Sequence, residues 1–145
     1  MSVLTVEKAR VGAFANDWRE AIRIVGNLLV EAGDVKQTYV DAMINAVEKF
    51  GPYIVLSPGL ALAHARPQDG ALKVGLSAAL LKNPIDFGHP DNDPVKLVLA
   101  FSAIDQISHL HVLQIISQVF SDPTSAERIY NSKTSKELVT QLGFL

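Results

Sequence analysis

The chain has no cysteine, which removes disulfides, thiol catalysis and cysteine-based zinc sites together. It also has little net charge, −2 at neutral pH, so no basic excess draws nucleic acid or an anionic membrane surface. No apolar run approaches the length of a membrane span, and the opening MSVLTVEKARVG lacks the apolar core of a signal peptide. No repeat, low-complexity tract or Pro/Gly/Ser linker divides the sequence. These absences lead to the expectation of a soluble, cytoplasmic protein with no direct membrane insertion. Its 145 residues, 48% hydrophobic and 19% charged, suit one domain, 1–145, built around a buried core.

Within that frame the apolar residues are ordered. Asn16 or Asp17 can cap a first helix, since a short polar side chain accepts a bond from the free N–H groups of the first turn. Ala21, Ile24, Val25, Leu28 and Leu29 then recur at three and four residues, a helical stripe ending near Gly33. A second helix is expected over 36–49, with Val40, Met43, Ile44 and Val47 inward. The period changes in the middle: an extended segment near 8–13 is followed later by apolar runs at 53–56, 60–64, 74–81 and 95–103, bounded by Pro, Gly, Asn and Asp. The run KLVLAFSAI is apolar nearly throughout, as a central strand covered on both faces should be. Helical periodicity returns at 108–120, 125–131 and 135–142. This order predicts an α/β fold, a mixed β-sheet sandwiched between helices, and disfavours an all-parallel nucleotide-binding sheet.

The chain has four histidines. In SHLHVLQIISQVF, helical residues two apart point nearly opposite ways, so His109 and His111 cannot chelate together. His109 shares a side with Val112, Leu113, Ile116 and Phe120, which aims it at the core or a cleft. His111 shares a side with Gln114 and Gln118 and faces solvent. His109 also falls at the start of its helix, with Ser108 or Asp105 as the cap, at the end where backbone N–H groups and dipole attract an anion. The plain alternative for His109 is a core-edge histidine bonded to a backbone carbonyl. His89, in FGHPDNDP, reads as a solvated loop residue. Its neighbours Asp86, Asp91 and Asp93 lack the spacing of an EF-hand.

His64 sits in LALAHARPQDG. The run from Gly59 is extended and Arg66-Pro67 ends it, because proline cannot donate a ladder bond and biases the preceding residue to extended geometry. His64 is therefore expected near a strand end, at the rim of the sheet, with only the alanines Ala63 and Ala65 beside it. Three readings follow: a packed histidine, a zinc ligand with His109 and a carboxylate, or a nucleophilic imidazole. A neutral imidazole can accept a phosphoryl group near pH 7, given donors for the phosphoryl oxygens and an in-line approach. Arg66 and His109 are candidate donors. Composition and spacing leave these readings open.

The stretches FGPYIVLSPGLALAHARPQDG and DNDPVKLVLAFSAIDQISHLHVLQIISQVF, with EAIRIVGNLLVEAGDV before them and SKELVTQL after, resemble the enzyme IIA domains of the bacterial phosphoenolpyruvate-dependent sugar phosphotransferase system. The likeness is to the mannitol/fructose type, and within it to the ascorbate-specific branch. The family signature is close to Gly-x-Ala-aliphatic-Pro-His-Gly. The resemblance implies that His64 carries a phosphoryl group, that His109 lies beside it and orients or stabilises it, and that His111 has no role. It implies a relay from the carrier protein HPr to His64, then to a cysteine of an enzyme IIB protein, and finally through a membrane IIC component to a carbohydrate of ascorbate-like kind. Such transfer rests on positioning and electrostatics, with no metal, cofactor or nucleotide on this chain. Docking should be transient, with Leu60, Leu62 and Ala65 contributing apolar contact. Two departures stand out. Ala63-His64-Ala65 replaces Pro-His-Gly, removing a constraint and a residue that adopts positive φ cheaply. Ala46 stands where many mannitol- and fructose-type members have an arginine that holds the phosphate, which turns attention to Arg66. A free-standing regulator of the same fold, acting through phosphorylation-dependent partner binding, and a domain that has lost its chemistry are the competing readings.

Overall fold

Alternation along two strands explains the architecture. On β5 (Val95–Ser102) the side chains of Leu97, Leu99 and Phe101 enter one apolar core, while Val98 and Ala100 enter another on the opposite face. β3 (Leu60–Ala63) does the same with Leu60 and Leu62 against Ala61 and Ala63. Both strands are buried on both sides, the arrangement expected of a sheet's centre.

The computed structural model describes residues 3–144. β1 (Ala9–Ala13), β2 (Val55–Ser57) and β4 (Gly75–Ile85) complete a five-stranded sheet of order β1-β4-β5-β3-β2. β1 runs parallel to β4 and β3 parallel to β5, while β4 pairs antiparallel with β5 and β2 antiparallel with β3. The sheet is mixed. α1 (Trp18–Glu31) and α2 (Gln37–Phe50) cover the face rich in alanine and valine. α3 (Gln106–Phe120), α4 (Pro123–Tyr130) and α5 (Ser135–Gln141) cover the leucine-rich face. The expected α/β sandwich is the observed one.

Local chemistry sets the element ends. The Asp17 carboxylate accepts from the Glu20 N–H at 2.9 Å and opens α1; its buried stripe includes Ala21, Val25, Leu28 and Leu29. Val40, Met43, Ile44 and Val47 are all buried on α2, and Tyr39 joins them. Two strand limits differ from expectation. Tyr53 lies outside β2 because Gly51, at φ +85°, begins a turn in which the Tyr53 N–H donates back to the Gly51 carbonyl. β4 continues past Leu81 through exposed Lys82, Asn83 and Pro84 to Ile85. Its register with β5 shifts between Leu80 and Ile85, and at such an irregularity proline is tolerated within a strand.

A buried ion pair ties the amino-terminal segment to the turn between α1 and α2. The Lys8 Nζ lies 2.7 Å from Asp34 Oδ2 and donates also to the Val3 carbonyl at 2.7 Å. Gly75, at the start of β4, leaves the space in which the Asp34 carboxylate sits. Removing one partner of such a pair strands a buried charge, which costs more than the intact pair is worth. Asp34→Ala should lower unfolding free energy by about 3–5 kcal/mol, and Lys8→Met/Asp34→Leu should recover most of that loss. Urea denaturation measures both; a loss under about 1 kcal/mol for Asp34→Ala would place the pair among ordinary surface contacts.

Candidate functional site

Parallel register carries His64 to the edge of the sheet. Ala63 pairs with Ala100 across β3 and β5, so the next residues, His64 and Phe101, meet just past the end of that ladder. Their rings stack, with centroids 5.2 Å apart and planes 30° off parallel. The His109 ring approaches the same Phe101 at 5.0 Å and stands edge-on to His64, 6.1 Å between centroids at 74°. Tyr53 closes the other side of His64, also edge-on, at 6.0 Å. Sequence periodicity aimed His109 inward and His111 outward, and the structure agrees: His109 is half-buried at the cleft, His111 exposed. His111 borders a separate groove between Val74, Ile107 and Phe144.

The His64 ring has a defined orientation. Its Nδ1 lies 3.0 Å from the Leu62 carbonyl oxygen. A carbonyl only accepts, so Nδ1 carries the proton and Nε2 keeps its lone pair. Burial, which penalises the charged form, holds the ring's pKa below the usual histidine value; the Leu62 carbonyl opposes this shift and the nearby His109 adds to it. Near pH 7 the site thus presents a neutral imidazole with one unshared pair.

The cleft beside it has a volume of about 340 Å³ and is lined by Ala46, Phe50, Tyr53, His64, Arg66 and His109, among others. Arg66 is at the rim, its exposed guanidinium bonded to both oxygens of Asp69 at 3.1 and 3.2 Å. That bond holds the Asp69 carboxyl below its usual range and raises the Arg66 guanidinium further. Ala46, the small residue on α2, leaves the floor of the cleft without a cation of its own. The start of α3 is already occupied: Asp105 caps it, accepting from the Ser108 N–H at 2.8 Å. The His109 backbone N–H donates to the Asp105 carbonyl, so His109 serves the cleft with its ring.

Two expectations about surroundings change. Leu60 and Leu62 are buried, at 1% and 0% exposure, because a central strand turns both faces into cores; they offer nothing to a docking partner. Exposed apolar side chains instead come from Phe50, the last residue of α2, and Tyr53 just after it, both lining the cleft; Ile107 and Leu110 are exposed on the first turns of α3. Ala65 adopts no positive φ, so replacing glycine there creates no strain, and its N–H is bound to the Tyr39 hydroxyl at 3.0 Å. Sequence reasoning missed Tyr39, Tyr53 and Phe101. Tyr39 could have been found by its place four residues before Met43, on the edge of the apolar stripe.

The other metal-site readings find no support in side-chain placement. Among the described residues no group of three His, Asp or Glu side chains converges as a metal site. Both carboxylate oxygens of Asp93 accept backbone N–H groups, from Phe87, Gly88 and His89. His89 accepts through Nδ1 from the Asp91 and Asn92 N–H groups, a loop-stabilising use of its ring.

A family model described as "Phosphoenolpyruvate-dependent sugar phosphotransferase system, EIIA 2" matches residues 2–143. The chain belongs to this family. Its enzyme IIA members are phosphotransferase components, and the chain is one of that class. An ascorbate-specific phosphotransferase system EIIA component of Salmonella choleraesuis is 41% identical over 132 residues, covering 90% of this chain and 85% of the relative. The solution structure of the mannitol-specific cryptic phosphotransferase enzyme IIA of Escherichia coli superposes with a TM-score of 0.87 at 31% identity, covering 97% of this chain and 95% of that one. The E. coli mannitol enzyme IIA, solved in complex with phosphorylated enzyme IIB, matches with a TM-score of 0.83 at 27% identity, covering 95% of each chain. The enzyme IIA fold therefore extends over nearly the whole described chain. No helix among the described residues is long and apolar enough to cross a membrane.

The buried, carbonyl-bonded ring makes a prediction about protons. Because the folded chain resists protonating His64, the unfolded chain binds more protons in the window just below the ordinary value of 6.5. Stability contributed by the neutral ring is complete above that window and lost as pH falls through it toward the folded value. A histidine-resolved NMR titration should place the His64 midpoint below 6.5. A midpoint at or above it would contradict the desolvated site.

Proposed function

We propose that this chain is a cytoplasmic phosphocarrier that takes a phosphoryl group from phospho-HPr on Nε2 of His64 and passes it to a cysteine of an enzyme IIB protein. The observation that carries the reading is the orientation of His64: its Nδ1–H is committed to the Leu62 carbonyl and its Nε2 is left as the nucleophile. In the first step the Nε2 lone pair attacks phosphorus in line, forming one P–N bond as the P–N bond to the donor histidine breaks. In the second, a thiolate attacks the same phosphorus, forming a P–S bond as the His64 P–N bond breaks. Nδ1 keeps its proton throughout. Both steps ask for positioning and charge stabilisation rather than covalent help from other groups.

His109 is the group to receive the phosphoryl oxygens, its ring standing perpendicular to His64 against the shared Phe101. Arg66 supplies positive charge at the rim by exchanging Asp69 for the phosphoryl group; it lines the same cleft. The exposed apolar side chains of Phe50 and Tyr53 at the cleft contribute to the surface on which HPr and enzyme IIB dock in turn, consistent with a likeness to an enzyme IIA solved with its phosphorylated enzyme IIB. The carbohydrate is ascorbate or a close relative, supported by 41% identity to a relative of that named specificity; its choice rests with a separate IIC component. A free-standing regulator would use the same His64 chemistry and differ in what binds the phosphorylated form.

Intact mass after incubation with phosphoenolpyruvate, enzyme I and HPr tests the reading. The wild-type chain should gain an acid-labile phosphoryl mass and His64→Ala should gain none while keeping its thermal transition. Labelling of the His64→Ala chain would sink the assignment. His109→Ala should still label but pass the group to enzyme IIB roughly 100-fold more slowly, the scale of losing one donor to a developing anion. Unchanged transfer would reduce His109 to a packing residue.

A further inference from the structure

The segment that follows His64 is held by the first turn of α2. The Lys36 N–H donates to the Gly70 carbonyl at 2.8 Å and the Thr38 hydroxyl to the Asp69 carbonyl at 3.0 Å. The third tie is buried. Tyr39 is 1% exposed, and its hydroxyl reaches between the ends of β3 and β5. It donates to the Phe101 carbonyl at 2.7 Å, accepts the Ala65 N–H at 3.0 Å, and lies 3.2 Å from the Ala65 carbonyl. One oxygen thus fixes the backbone of the residue after His64 and of the residue whose ring supports both imidazoles.

That placement matters because the strand ladder has stopped. The last β3–β5 pair is Ala63 with Ala100; Phe101 stays paired to Leu76 of β4, but His64 itself has no partner in the sheet. Ala63 and Ala65 have no bulk to wedge the ring, and neither restricts its backbone as proline would. We propose that Tyr39 is a positioning residue for phosphoryl transfer, holding the His64–Phe101 stack so that Nδ1 stays on the Leu62 carbonyl and Nε2 stays aimed into the cleft. The proposal rests on the carrier reading of His64 for its kinetic consequence, but not for its structural one. Burial pushes the Tyr39 hydroxyl up to about 12, so it keeps its proton, and with it the bond to Phe101, throughout the neutral range. Tyr39 touches no reacting atom; it acts through the two backbones.

Tyr39→Phe keeps the ring and deletes the bridge. With histidine labelled in its ring nitrogens, the wild-type chain should show His64 as a single Nδ1–H tautomer. The variant should show a mixture of tautomers or exchange-broadened ring signals. Its kcat for accepting phosphoryl from phospho-HPr should fall about tenfold or more, with KM within about twofold, because the reacting atom is misplaced while the docking surface is untouched. A folded Tyr39→Phe that keeps the single tautomer, or that keeps the wild-type kcat, overturns the proposal. Should that variant not fold, the ring signals of the wild-type chain still decide: a His64 that already samples both tautomers with the Tyr39 bridge in place overturns the proposal. The tautomer measurement needs no phosphoryl donor. A wild-type chain that takes nothing from phospho-HPr would therefore count against the carrier reading alone, and the ring signals would still decide on Tyr39.

Discussion

The site depends on one pairing, the parallel ladder between β3 and β5. Parallel strands in a sheet end side by side, so the residues just beyond the ladder emerge together at one edge. Ala63 opposite Ala100 brings His64 beside Phe101, and the chain leaving β5 turns directly into α3, which brings His109 to the same ring. A shift of one residue would exchange the faces of every side chain on β3, and Leu60 and Leu62 would lose their core. The burial that stabilises the sheet is therefore also what fixes the two imidazoles relative to each other.

The surroundings of the ring follow from that edge position. It is buried enough to disfavour the charged imidazole, yet the residue still lines the cleft. Neutrality and access are usually opposed, since a group that meets solvent tends to protonate normally. Here aromatic rings from three different segments, Tyr53, Phe101 and His109, shield the flanks of His64 while small residues leave the approach clear. The same small residues explain why an alanine at position 65 is tolerated where the family carries glycine: the backbone there is not in a conformation that needs one.

Much of this was legible beforehand. The stripes on α1 and α2, the two-sided burial of KLVLAFS and the opposed faces of His109 and His111 all follow from periodicity, and each is seen. The resemblance of LALAHARPQDG to a phosphotransferase signature named His64, which no spacing argument could single out from three readings. What stayed hidden was contact between residues distant in sequence. Tyr39 lies 62 residues from its partner Phe101, and nothing local in either stretch announces a bond between them. Leu60 and Leu62 are absent from any docking surface because proximity to His64 in sequence is not proximity at the surface. In a strand buried on both faces, exposure begins only where the strand stops.

A ring with one nitrogen committed to a carbonyl has a single door. Under the proposed carrier reading, whatever delivers a group to Nε2 and whatever removes it comes through the same cleft, past the exposed apolar side chains of Phe50 and Tyr53. On that reading the two visitors exclude each other, and no assembly of donor, chain and acceptor forms around this ring. Between visits the group must wait on the chain alone. Traffic through such a site is paced by how quickly one visitor leaves, which favours a rim that grips briefly over one that grips hard.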